Sequence, residues 1–346
     1  MKNKKIKIAI NGFGRIGRLL FREICGDKRY DIVAINDLSD INNLAYLLKY
    51  DTIYRTYAGE VKAKQKNGSN YLEVAGDEVL VISEPDPEKL PWKKLDVDIA
   101  VEATGRFESY EKASVHLKAG AKKVVLTAPP KDEERSDAKT VLIGINENQF
   151  KTCNITSNGS CTTNSVHPVM AIMSETIGVK KAMLSTIHGY TATQSLVDSI
   201  SKGKDMRRGR AAAMNIIPSS TGASISVAKV VNGLKGKFDG IALRVPTITG
   251  SVSDITFLAG RSTTVKEVND IFRKAAKEKR WEGVLAVTDD QLVSSDVIGM
   301  PYGAIIDMEY TRVIDGDLVK VLSWYDNEMG YIATLSKHIE KAAESL

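Results

Sequence analysis

The residues that most directly indicate chemistry surround Cys161. Residues 157–164 read SNGSCTTN, a polar, turn-like cluster. An apolar pattern with helical spacing follows them, although Pro168 should kink or locally unpair that helix. Cys161 is therefore predicted near a helix N-terminus, where the dipole lowers the pKa of a thiol and favours the reactive thiolate. Cys25 and Cys153 are interpreted instead as small core residues.

A second candidate is His188, which ends a β-prone run at a glycine turn. A histidine next to a cysteine acts as a general base and activates the thiol. Sequence spacing cannot show whether His188 meets Cys161, and a lone histidine is more often structural. The remaining histidines are interpreted as structural: His116, His167 and His338. No zinc-ligand spacing is present, so we expect no metal.

A glycine fingerprint, Gly12-x-Gly14-x-x-Gly17, follows a short apolar strand pattern and opens a helical one. Such glycines permit a tight turn and a close approach of backbone to a pyrophosphate at the helix N-terminus. Asp37 ends the next predicted strand, where a carboxylate can accept hydrogen bonds from both ribose hydroxyls. This combination predicts a dinucleotide site.

The elements that must position these residues are an α/β pattern followed by a β-rich one. The strand–helix–strand order at the N-terminus predicts a parallel βαβ unit. Further strands of the same sheet are expected at 99–101, 124–126 and 141–143, with a helix closing at Gly120. Residues 54–83 alternate in polarity around an Asn-Gly turn signal and are predicted to form an antiparallel insertion.

The predicted fold class is α/β, with a Rossmann-type doubly wound cofactor domain at 1–160. An α+β catalytic domain with a mainly antiparallel sheet is expected at 161–324. The loop at 195–210 is rich in Gly, Lys and Arg and shows no core face, which is typical of functional loops or subunit contacts. The final stretch, from about residue 330, is predicted to be a helix.

Length and composition set the broad class. The chain has 346 residues, 43% hydrophobic and 26% charged, which is typical of a globular protein with about two domains. Lys and Arg (48) exceed Asp and Glu (43) by only five. No dense basic run or basic–aromatic strip indicates a nucleic-acid site, and no apolar run could span a membrane. The basic residues 1–5 lack the features of a secretory signal, so we expect a cytoplasmic location.

Five motifs in one order closely resemble the phosphorylating glyceraldehyde-3-phosphate dehydrogenase family. They lie at 10–18 (INGFGRIGR), 157–164 (SNGSCTTN), 207–213 (RRGRAAA), 243–247 (LRVPT) and 324–328 (WYDNE). The resemblance implies oxidation of D-glyceraldehyde 3-phosphate with NAD and inorganic phosphate. It also implies a homotetramer, and a C-terminal helix at about 325–346 that completes the cofactor domain.

The resemblance implies a role for each matching residue. Cys161 would be the nucleophile and His188 its base. The NAD contacts would be Gly12, Phe13, Gly14, Arg15, Ile16, Gly17, Asp37, Thr127 and Asn327. The contacts to the substrate's phosphate and to inorganic phosphate would be Ser160, Thr162, Thr191, Arg208, Thr221, Gly222 and Arg244.

Cofactor choice rests on opposing signals. The charge of Asp37 should repel the 2′-phosphate of NADP. Ser199 and Ser201 stand where NAD-specific relatives often close the ribose pocket, and their hydroxyls tolerate a phosphate. We expect NAD to be preferred, with measurable use of NADP. Two alternatives remain: an erythrose-4-phosphate dehydrogenase, which typically lacks the Ser-Thr-Gly loop present at 220–222, and a catalytically silent binding module on the same fold.

Overall fold

The computed structural model describes residues 5–201 and 203–346. Residues 1–4 of the basic N-terminal segment, and Lys202 of the loop at 195–210, lie outside the described residues. Within the described chain no helix is long and apolar enough to cross a membrane.

The described chain forms two compact units. The first runs from the start of the described residues to Val141 and includes Glu147–Gly159 and Leu335–Leu346; the second contains Leu142–Asn146 and Ser160–Thr334. Residues 325–334 therefore belong to the second unit, whereas the sequence analysis had assigned them to the cofactor domain.

The first unit is built around a mostly parallel sheet. Its strands are β1 (Ile6–Asn11), β2 (Tyr30–Asn36), β3 (Tyr50–Asp51), β4 (Arg55–Thr56), β5 (Val61–Lys66), β6 (Ser69–Val74), β7 (Asp77–Ile82), β8 (Ile99–Glu102), β9 (Lys123–Leu126), β10 (Ala138–Thr140) and β11 (Ile155–Ser157). Among the described residues, nine of these strands pair in the order β10-β11-β9-β8-β1-β2-β7-β6-β5, while β3 and β4 pair separately.

Strand order reverses at β1, because β2 lies on one side of it and β8 on the other. In doubly wound sheets, ligands bind beyond the carboxyl ends of the strands at such a reversal. The helices of this unit are α1 (Arg15–Ile24), α2 (Ile41–Lys49), α3 (Trp92–Leu95), α4 (Tyr110–Ala113) and α5 (Val115–Lys118), with 3-10 turns at Pro87–Lys89 and Glu147–Lys151. Leu19, Leu20 and Ile24 bury the predicted apolar face of α1.

Two local predictions for this unit are wrong. The strand expected at 141–143 lies three residues earlier, as β10, where Ala138 and Thr140 are buried. The helix expected before Gly120 is divided into α4 and α5 at Ser114, whose hydroxyl donates a hydrogen bond back to the carbonyl of Glu111. Such back-bonding by serine competes with the helical pattern.

The predicted antiparallel segment is present and joins the main sheet. β5, β6 and β7 pair antiparallel, and β7 continues parallel to β2. Asn67 and Gly68 both have positive φ, 52° and 75°, as a two-residue hairpin turn between β5 and β6 requires.

The second unit contains a mixed, mostly antiparallel sheet. Its strands are β12 (Val179–Gly189), β13 (Ile217–Ser220), β14 (Phe238–Val245), β15 (Ser251–Ala259), β16 (Leu285–Thr288), β17 (Ala304–Ile314) and β18 (Leu318–Tyr325). Among the described residues they pair in the order β13-β14-β12-β15-β18-β17-β16. Only β12–β14 and β16–β17 of these pairs are parallel. This agrees with the predicted α+β domain.

The helices that follow are α6 (Cys161–Thr176), α7 (Ala223–Val230), α8 (Val265–Ala275) and α9 (Met329–Ala343), with 3-10 turns at Met206–Gly209, Ala212–Met214 and Lys279–Trp281. α6 continues through Pro168 and is almost entirely buried beyond its first residue. The C-terminal helix is present as α9. In the first unit, His338 of α9 is buried and contacts the Thr156 hydroxyl at 2.7 Å.

Candidate active site

The glycine fingerprint forms the turn between β1 and α1. Gly12 has a φ of +96°, and a Cβ there would lie 2.7 Å from the backbone of Ala103. At Gly17 a Cβ would meet the carbonyl oxygen of Gly12 at 2.1 Å. Gly14 precedes α1, and within the described residues no side chain caps that helix. Its first N–H groups are therefore available to an anion such as a pyrophosphate.

Asp37 lines a pocket of about 280 Å³ together with Gly12, Gly14 and Pro85. Its two carboxylate oxygens accept backbone hydrogen bonds, Oδ2 from Phe13 at 2.8 Å and Oδ1 from Ser39 at 2.9 Å. The carboxylate is thus fixed in the pocket by the fingerprint turn itself. The uncapped helix, the glycine turn and this carboxylate fit a dinucleotide.

Three other predicted cofactor residues contribute mainly structure. The Phe13 side chain is buried, and the backbone N–H of Phe13 donates a hydrogen bond to the carboxylate of Asp37. The Arg15 guanidinium forms an ion pair with the buried carboxylate of Asp51. Arg15 and the half-buried Ile16 begin α1, so their contribution to an anion site is through backbone N–H groups. The ion pair with Asp51 anchors Arg15 at the turn, and its contact with the cofactor stays a prediction.

A buried polar network lies beneath this turn, and the sequence analysis missed it. Glu102, at the end of the otherwise apolar β8, accepts hydrogen bonds from Asn11 at 2.6 Å and from the hydroxyl of Thr104. Nε2 of His116 lies 2.9 Å from the same carboxylate, and the indole N–H of Trp92 donates to Nδ1 of His116 at 3.1 Å. Because Trp92 only donates, Nδ1 must accept, and the hydrogen on Nε2 donates to Glu102. The sequence signal that could have revealed this network is the acidic residue Glu102 at the end of an otherwise apolar strand.

Cys161 and His188 meet in the second unit. Cys161 is the first residue of α6, and His188 is the penultimate residue of β12. Their Sγ and Nε2 atoms lie 3.3 Å apart, within the range at which a thiol and an imidazole share a proton. His188 is buried, whereas Cys161 is partly accessible. The contact that the sequence left open is present in the structure.

The pKa of Cys161 is shifted by the surroundings of this pair in a direction that the sequence analysis did not expect. Burial raises the pKa of Cys161, and Arg244 only partly opposes the effect. Burial, followed by the charge of Arg244, lowers the pKa of His188 to about 3. For Cys161 this direction is opposite to the one expected from the helix terminus, because burial of Sγ acts against the helix dipole.

Thr162 has a side-chain partner within the second unit. It is buried, and its hydroxyl lies 3.0 Å from the Oη of Tyr325. That Oη also contacts the Thr186 hydroxyl at 2.8 Å, and the Tyr325 ring meets the edge of the His188 ring at 5.9 Å. This contact positions Tyr325, a residue that the sequence analysis named only within a motif, and the phosphate contact of Thr162 stays a prediction.

Arg244 lies next to His188 because the two residues are partners in the parallel pairing of β12 and β14. Among the described residues no carboxylate forms an ion pair with Arg244, and its buried Nε has no hydrogen-bond partner. Arg208 is close enough for its charge to contribute to lowering the pKa of Arg244, after the larger effect of burial. A buried guanidinium that has no carboxylate partner within the described chain, with a second arginine nearby, forms a site suited to anions.

The predicted threonines and glycine of the anion sites occupy turns. Thr191 follows β12, and its hydroxyl contacts that of Thr193 at 2.8 Å. Gly222 precedes α7, which no side chain caps within the described residues, and the Thr221 hydroxyl accepts from the Ala223 N–H at 3.2 Å. The N–H groups that begin α7 suit a phosphate.

Ser160 caps α6 by accepting the N–H of Thr163 at 3.1 Å. This hydroxyl thus has a structural partner already. As an N-cap it fixes the first turn of α6, which begins with Cys161.

Two of the residues predicted to contact NAD, Thr127 and Asn327, lie in different units. Thr127 follows β9, and its hydroxyl donates to the carbonyl of Glu102 at 3.0 Å. Asn327 follows β18, and its Oδ1 accepts from the hydroxyls of Thr249 at 3.2 Å and Ser251 at 2.8 Å. This leaves the Nδ2 hydrogens of Asn327 to donate to a ligand.

The first unit has a Rossmann-type dinucleotide fold, and the second carries a Cys–His pair beside an anion site. This combination defines the class of dinucleotide-dependent dehydrogenases. Comparisons with known proteins identify the family. Residues 6–110 match the NAD binding domain of glyceraldehyde 3-phosphate dehydrogenase, and residues 160–327 match its C-terminal domain.

Curated relatives cover nearly the whole chain. Glyceraldehyde-3-phosphate dehydrogenase from Thermotoga maritima is 51% identical over 94% of this chain and 95% of its own length. The enzyme from Clostridium pasteurianum is 43% identical over 98% of both chains. That from Geobacillus stearothermophilus is 46% identical over 94% of this chain and 95% of its own. The chain belongs to the glyceraldehyde-3-phosphate dehydrogenase family, and its first unit is the NAD-binding domain of that family.

Proposed function

We propose that this chain oxidises D-glyceraldehyde 3-phosphate to 1,3-bisphosphoglycerate with NAD and inorganic phosphate, the glycolytic and gluconeogenic reaction of its family. The observation that carries the proposal is the 3.3 Å contact between Cys161 Sγ and His188 Nε2, beside a guanidinium without an acidic partner in the described residues. Oxidation of a phosphorylated aldehyde requires a thiol that can lose its proton to attack the carbonyl carbon, and an anion site that binds the phosphate.

The reaction begins on the thiol of Cys161. Its sulfur attacks the aldehyde carbon while His188 relays the thiol proton to the carbonyl oxygen, which gives a hemithioacetal. His188 then removes the hydroxyl proton as the carbon is oxidised to a thioester. NAD, when bound, supplies the acceptor for the hydride that leaves this carbon. Gly12, Gly14 and Asp37 are the residues proposed to hold it.

Two anion sites serve the phosphate groups. Arg244 and Thr191 bind the phosphate of the substrate, since they lie at the strand end that carries His188. Thr221 and Gly222, with Arg208 and the N–H groups of α7, bind inorganic phosphate. Attack of that phosphate on the thioester breaks the carbon–sulfur bond, releases the acyl phosphate, and returns the proton from His188 to sulfur.

A spectrophotometric assay tests this function. Reduction of NAD should require glyceraldehyde 3-phosphate, should continue only with phosphate or arsenate, and should be lost in Cys161→Ser but not in Cys153→Ser. Cys153 is buried in the first unit and serves as the matched control. Turnover without phosphate, or equal turnover with erythrose 4-phosphate, would refute the assignment and favour the erythrose-4-phosphate enzyme.

Assembly and location extend the proposal. Met183 and Ile241 are exposed on one face of β12 and β14, and Leu196, Ile200 and Met206 are exposed in the loop at 195–210. Exposed apolar groups of this kind support subunit contacts, and we propose a homotetramer. The three cysteines form no disulfide within the described chain, which supports a reducing, cytoplasmic location. Light scattering on the purified protein measures the subunit number, and a dimer or monomer would overturn it.

A further inference from the structure

The buried polar network beneath the fingerprint turn joins three neighbouring strand ends of the first unit. Asn11, Asn36 and Glu102 are the last residues of β1, β2 and β8. Asn36 Nδ2 donates to Asn11 Oδ1 at 2.8 Å, and Asn11 Nδ2 donates to Glu102 Oε2 at 2.6 Å. On the other side of this carboxylate lie His116 of α5 and Trp92 of α3. All five side chains are buried.

The direction of each hydrogen bond on the asparagine side is determined by the backbone of Glu84. Its N–H must donate to Asn36 Oδ1 and its carbonyl must accept from Asn36 Nδ2, so the orientation of this amide is fixed. The second N–H of Asn36 then donates to Asn11 Oδ1. Asn11 therefore presents its Nδ2 donor to Glu102.

The direction on the histidine side is determined by Trp92. Its indole N–H can only donate, so Nδ1 of His116 accepts and the hydrogen on Nε2 points at Glu102. Nε2 of His116 and Nδ2 of Asn11 lie 3.5 Å apart, but both are donors and cannot bond to each other. Only the Glu102 carboxylate between them holds the two halves of the network together.

The second oxygen of Glu102 holds the surface on which the fingerprint turn packs. Oε1 accepts the backbone N–H of Thr104 at 2.8 Å and also the Thr104 hydroxyl. Gly12 approaches this segment so closely that a Cβ on Gly12 would lie 2.7 Å from the Thr104 nitrogen. The Ala103 N–H donates to the carbonyl of Asn11 at 2.8 Å. A displacement of Glu102 would therefore move the backbone on both sides of the turn.

The network reaches the dinucleotide pocket through other residues. The pocket that contains Asp37 is lined by Asn11, Asn36, Glu84 and Thr104. Among the described residues that line it, Glu102, His116 and Trp92 do not appear. The His116 ring also packs edge-on against Phe107, a residue of the pocket wall, with 6.3 Å between ring centroids. His116 is thus linked to the pocket in two ways, by hydrogen bonding through Glu102 and by packing on Phe107.

We propose that Glu102 is a positioning residue of the NAD site and that His116 orients it. The carboxylate holds Asn11 and Thr104 where the fingerprint turn requires them, and the Nε2–H of His116 keeps the carboxylate in place. Because neither side chain lines the pocket, their loss should weaken cofactor binding and leave the reaction at Cys161 intact. The inference rests on the proposed function for one assignment, that this pocket binds NAD.

Two substitutions of His116 separate hydrogen bonding from packing. His116→Gln keeps an N–H donor at about the reach of Nε2 but loses the ring beside Phe107. His116→Leu keeps an apolar group beside Phe107 but loses the donor to Glu102. We expect leucine to weaken NAD binding about tenfold and glutamine to stay within about twofold of the unmodified protein. Weaker binding in His116→Gln than in His116→Leu would assign the effect to packing and overturn the proposal.

Calorimetry measures the Kd of NAD and of ADP-ribose, which lacks the nicotinamide. The network lies under the part of the site that contains Asp37, so His116→Leu should weaken binding of both ligands by the same factor. The KM for NAD should rise with the Kd, while kcat at saturating NAD stays within about twofold of its original value. A loss confined to NAD, or a fall in kcat at unchanged Kd, would contradict a positioning role in this pocket.

His338→Leu is the matched control for general loosening of the unit. His338 is a buried histidine of the same unit that contacts Thr156, and it does not line the pocket. Urea unfolding of each variant measures the loss of stability. His338→Leu should lower stability and leave the Kd of NAD unchanged; an equal weakening of NAD binding in His338→Leu and His116→Leu would overturn the proposal.

Glu102→Gln provides a second variant of nearly the same shape if His116→Leu does not fold. Whichever way its amide turns, an N–H group faces a donor, either on Asn11 and His116 or on the Thr104 backbone. We expect NAD and ADP-ribose to bind at least about tenfold more weakly. Unchanged binding of both ligands in Glu102→Gln would refute the role of this carboxylate.

Failure of the proposed function and failure of this inference give different results. An unmodified protein that binds neither NAD nor ADP-ribose removes the assignment of the pocket, and the inference with it. An unmodified protein that binds NAD, with equal affinity in His116→Leu, keeps the proposed function and loses only the positioning role.

Discussion

Replacing Asp37 tests cofactor choice and the structural role of its carboxylate together. Oδ2 accepts the N–H of Phe13 and Oδ1 that of Ser39, so the charge is held at one place in the pocket. Asp37→Asn removes the charge but keeps an acceptor for Phe13. Asp37→Gly removes both the charge and the acceptor, so the fingerprint turn also loses its hydrogen bond to this side chain. Asparagine should therefore relax discrimination against NADP with the smaller loss of total efficiency.

The magnitude follows from the repulsion between this carboxylate and a 2′-phosphate. At an effective dielectric constant near 20, two unit charges about 4 Å apart repel by about 4 kcal/mol. Asp37 is half-buried, and solvent screening reduces this to about 2 kcal/mol. That corresponds to a change of about 30-fold in the ratio of kcat/KM for NAD and NADP. Loss of the bond to Ser39 removes about 1 kcal/mol more from binding of either cofactor.

The assay measures kcat/KM with NAD and with NADP at fixed ionic strength for the unmodified enzyme and both variants. Glu84→Gln is the matched control, because Glu84 lines the same pocket but is not bonded to the fingerprint turn. The unmodified enzyme should prefer NAD with measurable NADP use. Equal efficiency with NADP before any substitution, or an equal shift in Glu84→Gln, would refute the reasoning from Asp37.

Three further predictions concern the thiol, the phosphate loop and acid stability. Iodoacetate should label Cys161 once per subunit and abolish activity, with a rate that rises with pH because the thiolate is the reactive form and burial raises the pKa of this thiol; a pH-independent rate would contradict this. Thr221→Val should raise the phosphate KM about tenfold by loss of a hydrogen bond and leave the first burst of NADH intact, and an unchanged phosphate dependence would exclude this loop. Burial lowers the pKa of His338 to about 3, so between pH 6.5 and 3 the unfolded chain binds a proton that the folded chain does not. Stability is full above pH 6.5 and falls by about 1.4 kcal/mol per pH unit below it, and His338→Gln should reduce the loss seen by urea unfolding at pH 5; equal losses would refute it.

Site residues whose partners are close along the chain were predictable. The glycine turn, the start of α6 at Cys161 and the hairpin at 67–68 follow from local rules about φ, caps and spacing. The partners that other site residues have within the protein were not predictable. Arg15 is paired with Asp51 and Thr162 with Tyr325, and no local pattern reports such distant partners.

The sequence by itself determined the dinucleotide turn and the strand–helix–strand order at the N-terminus, and it indicated Cys161 as the candidate nucleophile, because each depends on residues within one or two turns of chain. Only the tertiary structure decided that His188 meets Cys161 and that Arg244 meets His188. The reason is register: β12 and β14 are parallel neighbours whose alignment pairs His188 with Arg244. The same packing partly buries the thiol, and this burial raises the pKa of Cys161, opposite to the direction predicted from the helix terminus.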